Sequence, residues 1–212
     1  MNTITQEIAR KIIATVDAGL ISGLGEPIPG RMCVEAAVCY ALGLPHGDNP
    51  DKCVAQSVRV AKIVLNDSFI ENKARTKGLR KLSILQLGTY EVLDEVEFTA
   101  RVTLLVINKY LPPLLRKESL NKEADACEQA RDLKEARAVA AMAAMAANAA
   151  FNAADAAKAA VRTANIASAV NAAVNAAAVA ADSDKVLTEF AEDIAQILIS
   201  MCVPGVKWLD LL

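Results

Sequence analysis

The stretch that decides the fold runs from residue 136 to residue 181 and reads ARAVAAMAAMAANAAFNAADAAKAAVRTANIASAVNAAVNAAAVAA. More than half of it is alanine, and it contains neither glycine nor proline. Alanine has the highest intrinsic helix propensity, so the whole stretch is predicted to be helical. A methyl group contributes little when it is buried, but small residues let two helices approach closely. We therefore expect this stretch to pack tightly against another helix.

The larger side chains of this stretch recur every three or four residues, which places them on one stripe of a helix opposite a continuous alanine face. They are Val139, Met142, Met145, Asn148, Asn152, Asp155, Lys158, Arg162 and Asn165. A single helix of this length would extend roughly 65 to 70 Å at 1.5 Å per residue. A hairpin with a break around residues 163 to 168 is the compact alternative. We expect Ala156, Ala157 and Ala160 to lie in a helix contact.

The rest of the chain is also predicted to be helical. Hydrophobic periodicity and capping residues place helices at about 3–20, 31–42, 50–66, 69–87, 98–111, 119–137 and 184–201. Thr3 and Gln6 have the spacing of a capping box at the start of the first helix. Residues 98–111 can also be read as a buried strand, but the neighbouring helices favour a helix that ends at Pro112 and Pro113.

These elements predict an all-α fold, a helical bundle with a long alanine-rich helix or an alanine-rich helical hairpin. We expect one domain over residues 1–212. It would consist of an N-terminal helical block, 1–113, and the long alanine-rich and C-terminal helices, 114–212.

Composition excludes several classes of protein. A hydrophobic content of 54% excludes intrinsic disorder, and a net charge of −2 gives no global electrostatic signature for nucleic acid, which we regard as an unlikely partner. The N-terminal residues MNTITQEIARKII do not form a secretory signal, and no apolar segment of about 20 residues is uncharged enough to span a bilayer. We expect a cytoplasmic protein. The odd number of cysteines, five, favours reduced thiols.

The residues between Gly23 and Cys53 hold the densest group of reactive side chains. A loop rich in glycine and proline, Gly23–Gly30, leads into the start of a predicted helix at Arg31, a geometry able to hold a phosphate or carboxylate. Neighbouring helices supply further charged side chains. The predicted ligand-binding residues are Arg31, Glu35, His46, Asp48, Arg59 and Lys62.

Two kinds of chemistry are alternatives for the same segment. Cys33 near a helix start could be a nucleophile with His46 as its base, but one helix between them would separate the two by roughly 15 Å. Zinc could use Cys33, Cys39, His46 and Cys53, but these lie six or seven residues apart, wider than the usual spacing of zinc ligands. We therefore expect buried cysteines, and neither a metal nor another cofactor.

A basic run follows farther along the chain. It comprises Lys73, Arg75, Lys77, Arg80 and Lys81. We interpret it as a solvated helix face that pairs with the acidic residues just downstream, rather than as a binding surface. Those acidic residues are Glu91, Asp94, Glu95 and Glu97.

The block from Pro29 to Asp48 (PGRMCVEAAVCYALGLPHGD), together with Cys53, the basic segment at 77–80 and the closing Trp208-Leu-Asp210, resembles a family of uncharacterised bacterial and bacteriophage proteins. Members of that family also join such a block to an alanine-rich second half. The resemblance carries no established activity. Its phage association favours a protein that acts by sequestering a nucleotide-like signal or a host protein, as anti-defence proteins do.

Function is accordingly predicted to be binding rather than catalysis, because every catalytic arrangement lacks a base within reach or a recognisable metal geometry. The leading hypothesis is a homo-oligomeric module that binds a small anionic ligand or a partner protein. A thiol-dependent hydrolase or transferase that uses Cys33 is one alternative, and a purely structural assembly protein is another.

Overall fold

A computed structural model of the protein describes residues 4–50, 52–146, 166–178 and 180–212. These residues form an all-α fold, as predicted. They contain no β-strand and only two isolated β-bridges, both at Met32. The helices are α1 (Gln6–Asp17), α2 (Val34–Leu42), α3 (Gln56–Ser68), α4 (Asn72–Leu85), α5 (Glu95–Leu105), a π-helical turn (Val106–Tyr110), α6 (Leu111–Lys117), α7 (Asn121–Gln129), α8 (Leu133–Ala146), α9 (Ile166–Ala178), α10 (Ser183–Ser200) and a 3-10 helix (Pro204–Leu211).

The chain forms two compact units. Unit 1 combines the residues up to Glu95 with those from Asp184 onward, and unit 2 is the continuous segment 96–183. The last helix therefore belongs with the N-terminal block, and the division expected at residues 113 and 114 lies inside unit 2. A single cooperative domain stays a prediction.

Unit 1 has its core where α1, α2, α3 and α4 meet. Helix α1 packs against α2 and α4, and α3 contacts both α2 and α4. The core side chains are aliphatic and fully buried, and include Ile12, Val16, Leu65, Leu79 and Leu82. The C-terminal helix buries an apolar face that includes Leu187, Phe190 and Ile194. Its first turn also makes polar contacts, because both carboxylate oxygens of Asp184 accept backbone N–H groups, those of Ile70 and Glu71, at 2.8 Å. A carboxylate from α10 thus caps the start of α4.

Unit 2 is organised around the π-helical turn, which contacts α6, α7, α8 and α9. The turn arises because Pro112 and Pro113 have no N–H to donate. The last available donor, Leu111 N–H, reaches back five residues to the carbonyl of Val106, which is the π-helical spacing. The chain then continues in helical conformation through both prolines, so the predicted helix end at this point is wrong.

On the described part of α8 the packing agrees with the predicted stripe, whereas α9 lies beyond that stripe and buries the larger Ile166 and Val170. On α8 the alanines Ala136, Ala140 and Ala143 are buried, while Met142 and Met145 are exposed. Helices α8 and α9 both contact the π-helical turn, so they are not the two ends of one straight helix. The contact expected at Ala156, Ala157 and Ala160 lies outside the described residues, as does most of the expected break; residues 166–168 belong to α9.

Two predicted helix starts are wrong, the first because a different local residue forms the cap and the second because a tertiary hydrogen bond sets it. Helix α1 is capped by Thr5, whose hydroxyl accepts from Ile8 N at 3.3 Å, and Thr3 lies outside the described residues. Helix α3 starts at Gln56 rather than Pro50, since Thr89 Oγ1 accepts from Ala55 N at 2.8 Å.

The helix expected over 119–137 is two helices. It breaks at Ala130, whose carbonyl accepts from the Asn108 side chain at 2.8 Å. Asp132 then caps α8 by accepting from Glu135 N at 2.8 Å. The sequence carried this signal, because an aspartate three residues before a glutamate has the spacing of a capping box.

The buried alanine face of α8 leads to the first prediction. Ala140→Leu adds three carbons to a side chain with no exposed surface, in a helix that packs against α7 and the π-helical turn. Overpacking of this kind costs about 1 to 3 kcal/mol, whereas leucine on an exposed helix position is close to neutral. Urea unfolding should show that loss for Ala140→Leu. The matched control is Ala138→Leu on the exposed side of α8, and equal stability of the two variants would contradict the packing described here.

Candidate functional site

The start of α2 and the loop before it define the site. Helix α2 begins at Val34, not at Arg31 as predicted, because Met32 is held in extended conformation by the bond from Ile21 N to its carbonyl at 3.0 Å. Cys33 is the N-cap residue, and its Sγ accepts from Ala36 N at 3.4 Å. The anion-binding geometry predicted for a helix starting at Arg31 is therefore shifted by three residues.

The segment Gly19–Met32, which we call the braced loop, is held by side chains of α3. Asn66 donates from Nδ2 to Ile21 O at 2.9 Å and accepts at Oδ1 from Val34 N at 3.2 Å. Asp67 Oδ1 accepts from Gly23 N at 2.8 Å. These contacts tie the loop and the first amide of α2 to the end of α3.

The loop is also fixed by its own backbone. Glu26 N donates to Arg31 O at 2.8 Å, and Cys33 N donates to Leu24 O at 3.3 Å. Gly25 has a φ of +73°, and a Cβ placed there would lie 2.0 Å from Arg31 O, so only glycine fits. The loop therefore has one well-determined conformation.

Sequence reasoning missed Asn66 and Asp67 as site residues. They stand next to each other near the end of α3, where the pattern was interpreted only as a helix end. Nothing in a single sequence shows that they bond a segment more than forty residues earlier. The burial of Asn66, which is 1% exposed, becomes visible only in the fold.

The structure brings four of the six predicted ligand-binding residues together as two ion pairs. Lys62 Nζ lies 2.8 Å from Glu35 Oε1, and Arg59 Nη2 lies 2.8 Å from Asp48 Oδ1. Arg59 also donates from Nε to the Asp48 carbonyl at 2.6 Å. Each cation of this group is thereby matched by a carboxylate.

The other two predicted residues lie at the surface of the braced loop. Arg31 pairs with Glu26 at 3.3 Å, and both side chains are largely exposed. His46 Nε2 lies 3.0 Å from the carbonyl of Gly25. All three predicted cations thus have a carboxylate partner, which leaves no uncompensated positive charge among them to attract an anion. Binding of an anion stays a prediction.

Glu35 and Lys62 are both completely buried. Within the described residues, neither Glu35 oxygen nor Lys62 Nζ has a well-directed hydrogen bond, although the two charged groups are close. Burial raises the pKa of the Glu35 carboxyl and lowers the pKa of the Lys62 ammonium, and their mutual attraction opposes both shifts. Because neither side chain is exposed, the pair links α2 to α3 in the interior. It does not contact a ligand that arrives from solvent.

A small cleft of about 60 Å³ lies beside this pair, between the braced loop and α3. It is lined by Gly23, Leu24, Cys33, Val34, Asp48, Ile63, Asn66 and Asp67. Nucleotide-sized ligands need several hundred Å³, so the cleft suits a single side chain or a small molecule.

The thiols differ from those of a nucleophilic site. Burial raises the pKa of Cys33, even though the backbone N–H groups around its sulfur favour the thiolate. Burial also raises the pKa of Cys39 to about 12 and that of Cys127 to about 11. His46 uses Nε2 at the Gly25 carbonyl, where it must donate a proton, and Cys33 Sγ is engaged by Ala36 N. The dyad considered for the enzyme alternative is not assembled.

The described residues contain no group of three or more histidine, cysteine, aspartate or glutamate side chains able to hold a metal ion. Among those same residues, every helix is too short or too polar to cross a membrane.

Three side chains of the basic run on α4 form hydrogen bonds or ion pairs with partners that the sequence did not suggest. Arg75 is 2% exposed and donates to the carbonyls of Asn66 and Phe69, so the expectation of a solvated face is wrong at this position. Arg80 pairs with Asp17 at 2.6 Å, and Lys81 pairs with Glu192 at 2.6 Å. The acidic partners come from α1 and α10 rather than from the residues just downstream.

Comparison of the chain with protein-family models, with curated proteins and with solved structures gave no match. The resemblance to bacterial and bacteriophage proteins stays a prediction.

The buried ion pair of Glu35 and Lys62 leads to a prediction about the pH dependence of stability. Removing one member should change that dependence in the opposite direction to removing the other. Lys62→Met leaves a buried carboxyl whose folded-state pKa is raised. Its contribution to stability is present below the ordinary carboxyl pKa of about 4 and is lost as pH rises toward the raised value. Glu35→Gln leaves a buried amine whose pKa is lowered, so stability is present above about pH 10 and is lost as pH falls.

Each single variant should lose about 3 to 5 kcal/mol at neutral pH, because one buried charge is left uncompensated, while the double variant should approach the wild type. The measurement is the urea midpoint across a pH series. Parallel slopes for the two single variants would show that the pair is not coupled as described.

Thiol labelling gives a separate test. Cys202 is exposed, whereas the other four cysteines are buried. Iodoacetamide at neutral pH should therefore modify one thiol per chain quickly, and Cys202→Ser should abolish that fast phase. Fast modification of Cys33 in the Cys202→Ser protein would instead support a reactive thiolate at the start of α2.

Proposed function

We propose that this protein is a non-enzymatic binding module and that the braced loop of unit 1 is its contact surface for a partner protein. The single observation that carries the proposal is that the loop is rigid and nevertheless presents large aliphatic side chains to solvent. Leu24 is 43% exposed and Ile28 is 47% exposed. Both residues belong to the same loop, and apolar side chains grouped at the surface are a feature of protein interaction sites.

The rigidity of the loop matters for affinity. A loop that is ordered only on binding loses conformational entropy at that step, and the loss subtracts from the binding free energy. Here Asn66 and Asp67 hold the loop through side-chain hydrogen bonds before any partner arrives. The energy of contacts to Leu24 and Ile28 is then available for binding.

A partner protein is favoured over a small anion by charge and by volume. The positive side chains near the loop are matched by carboxylates, and the cleft is far smaller than a nucleotide needs. A thiol-dependent enzyme is disfavoured because burial raises the pKa of Cys33, Cys39 and Cys53. Homo-oligomerisation fits the same proposal if the partner is a second copy of the chain.

The test compares three immobilised proteins incubated with an extract of the source cells. Ile28→Asp places a charge in the loop, and Ile70→Asp places the same charge at another exposed position of unit 1, where the isoleucine is 73% exposed. We expect a stoichiometric partner to be retained by the wild type and by Ile70→Asp, and to be reduced at least about tenfold with Ile28→Asp, since loss of about 1.4 kcal/mol is a tenfold change. Circular dichroism should show equal helix content in all three.

Light scattering of the same proteins addresses a second copy as the partner. A mass above that of the monomer that falls only with Ile28→Asp would identify self-association. A partner that binds all three proteins equally would contradict the loop as the contact surface.

A further inference from the structure

We propose that the cleft between the braced loop and α3 receives a lysine side chain of the partner. This inference rests on the proposed function, because it assigns the chemistry of one contact within the same surface. It concerns the cleft behind Leu24, whereas the proposed function depends on the aliphatic surface that includes Ile28.

The walls of the cleft fit the stem of a lysine. Leu24, Val34 and Ile63 supply aliphatic walls. With a volume of about 60 Å³, the cleft admits a narrow side chain rather than a nucleotide-sized ligand. Lysine side chains commonly bury their methylene groups against apolar surface while the ammonium group stays at a polar end.

The charge of the cleft fits the head of a lysine. Its two ionisable carboxyl groups belong to Asp48 and Asp67, and its lining contains no cationic side chain. Asp67 Oδ1 accepts only from neutral donors, namely Ser22 Oγ, Gly23 N and Asn66 Nδ2. Its negative charge therefore faces the cleft without a directly bound cation in the described part of the chain.

The two carboxylates are also held so that each keeps one oxygen for a ligand. Asp48 uses Oδ1 for Arg59, and Asp67 uses Oδ1 for the loop. No donor from the described residues is bonded to Oδ2 of either group. An ammonium group has three donors, which suits a cleft whose lining offers carboxylate oxygens as acceptors.

Nearby cations do not cancel the preference of the cleft for a positively charged group. Arg59 is the only cation bonded to either carboxylate in the described chain, and its guanidinium is directed at both the side chain and the carbonyl of Asp48. Arg75 interacts electrostatically with Asp67, but its guanidinium donates to the carbonyls of Asn66 and Phe69. The side chains that line the cleft include two carboxylates and no cation.

The experiment uses the full chain and three synthetic peptides followed by NMR. Each peptide is acetylated and amidated and has a central residue between two leucines; that residue is lysine, acetyl-lysine or norleucine. Norleucine keeps the aliphatic stem and removes the ammonium group. We expect amide shifts of Gly23, Val34 and Asp67 with the lysine peptide at millimolar concentration, at least tenfold weaker binding of the other two, and a loss of affinity as salt is raised.

The variant Asp48→Asn/Asp67→Asn keeps the oxygen that holds Arg59 and the loop while it removes both charges. It should bind the lysine peptide at least tenfold more weakly, and Glu7→Gln, a loss of one exposed carboxylate on α1 away from the loop and the cleft, should not. If the double variant does not fold, either single variant must still weaken lysine binding severalfold. Equal binding of the lysine and norleucine peptides, no binding of any peptide, or an unchanged double variant would overturn the proposal.

These results separate the two proposals. If the lysine peptide fails while Ile28→Asp still abolishes retention of the cellular partner, the cleft assignment is wrong and the loop surface stands. If the lysine peptide binds but Ile28→Asp changes nothing, the cleft is a lysine site and the loop is not the partner surface.

Discussion

One buried amide, that of Asn66, connects the parts of unit 1 on which the site depends. Its side chain bonds the carbonyl of Ile21 and the N–H of Val34, and its backbone carbonyl accepts from Arg75. A polar group in the interior is costly unless its donors and acceptors are used, and here they are used by three different elements. Asn66 therefore links the loop, α2 and α4 to α3.

The interior around this residue is unusually polar for a helical unit with an aliphatic core. Glu35, Lys62 and Arg75 are all almost or completely buried. Such groups add little net stability compared with apolar residues of similar size, but alternative packings would leave them without partners. They favour one arrangement of α2, α3 and α4 over others. A surface that recognises a partner without rearrangement requires one well-defined arrangement of the helices that support it.

Sequence reasoning reached the fold class because helix formation in this chain is local. Alanine propensity and the spacing of Met142 and Met145 depend on residues within a few turns, and the described part of α8 agrees with them. The starts of α2 and α3 were misplaced because bonds from Ile21 and Thr89, distant in sequence, determine them. Local patterns carry no information about such partners.

The same distinction applies to the site. Glu35, Asp48, Arg59 and Lys62 were selected because reactive side chains are dense in that part of the sequence, and they do lie together. The pairing of these side chains could not be predicted from their spacing, nor could the complete burial of Glu35 and Lys62 or the partial burial of Asp48 and Arg59. Pairing and burial depend on how α2 packs against α3. The residues that shape the cleft from the other side, Asn66 and Asp67, looked like an ordinary helix end.

The order in which the two units become complete during synthesis follows from the chain's path. Unit 2 is continuous, whereas unit 1 needs residues from both ends of the sequence. A ribosome releases the N-terminal helices first, yet Ile70, Glu71 and Lys81 cannot meet Asp184 and Glu192 until the last helix has emerged. Domains generally fold as units during translation. The segment made second is thus the first that can finish folding, and unit 1 is completed only after the last helix has been synthesised.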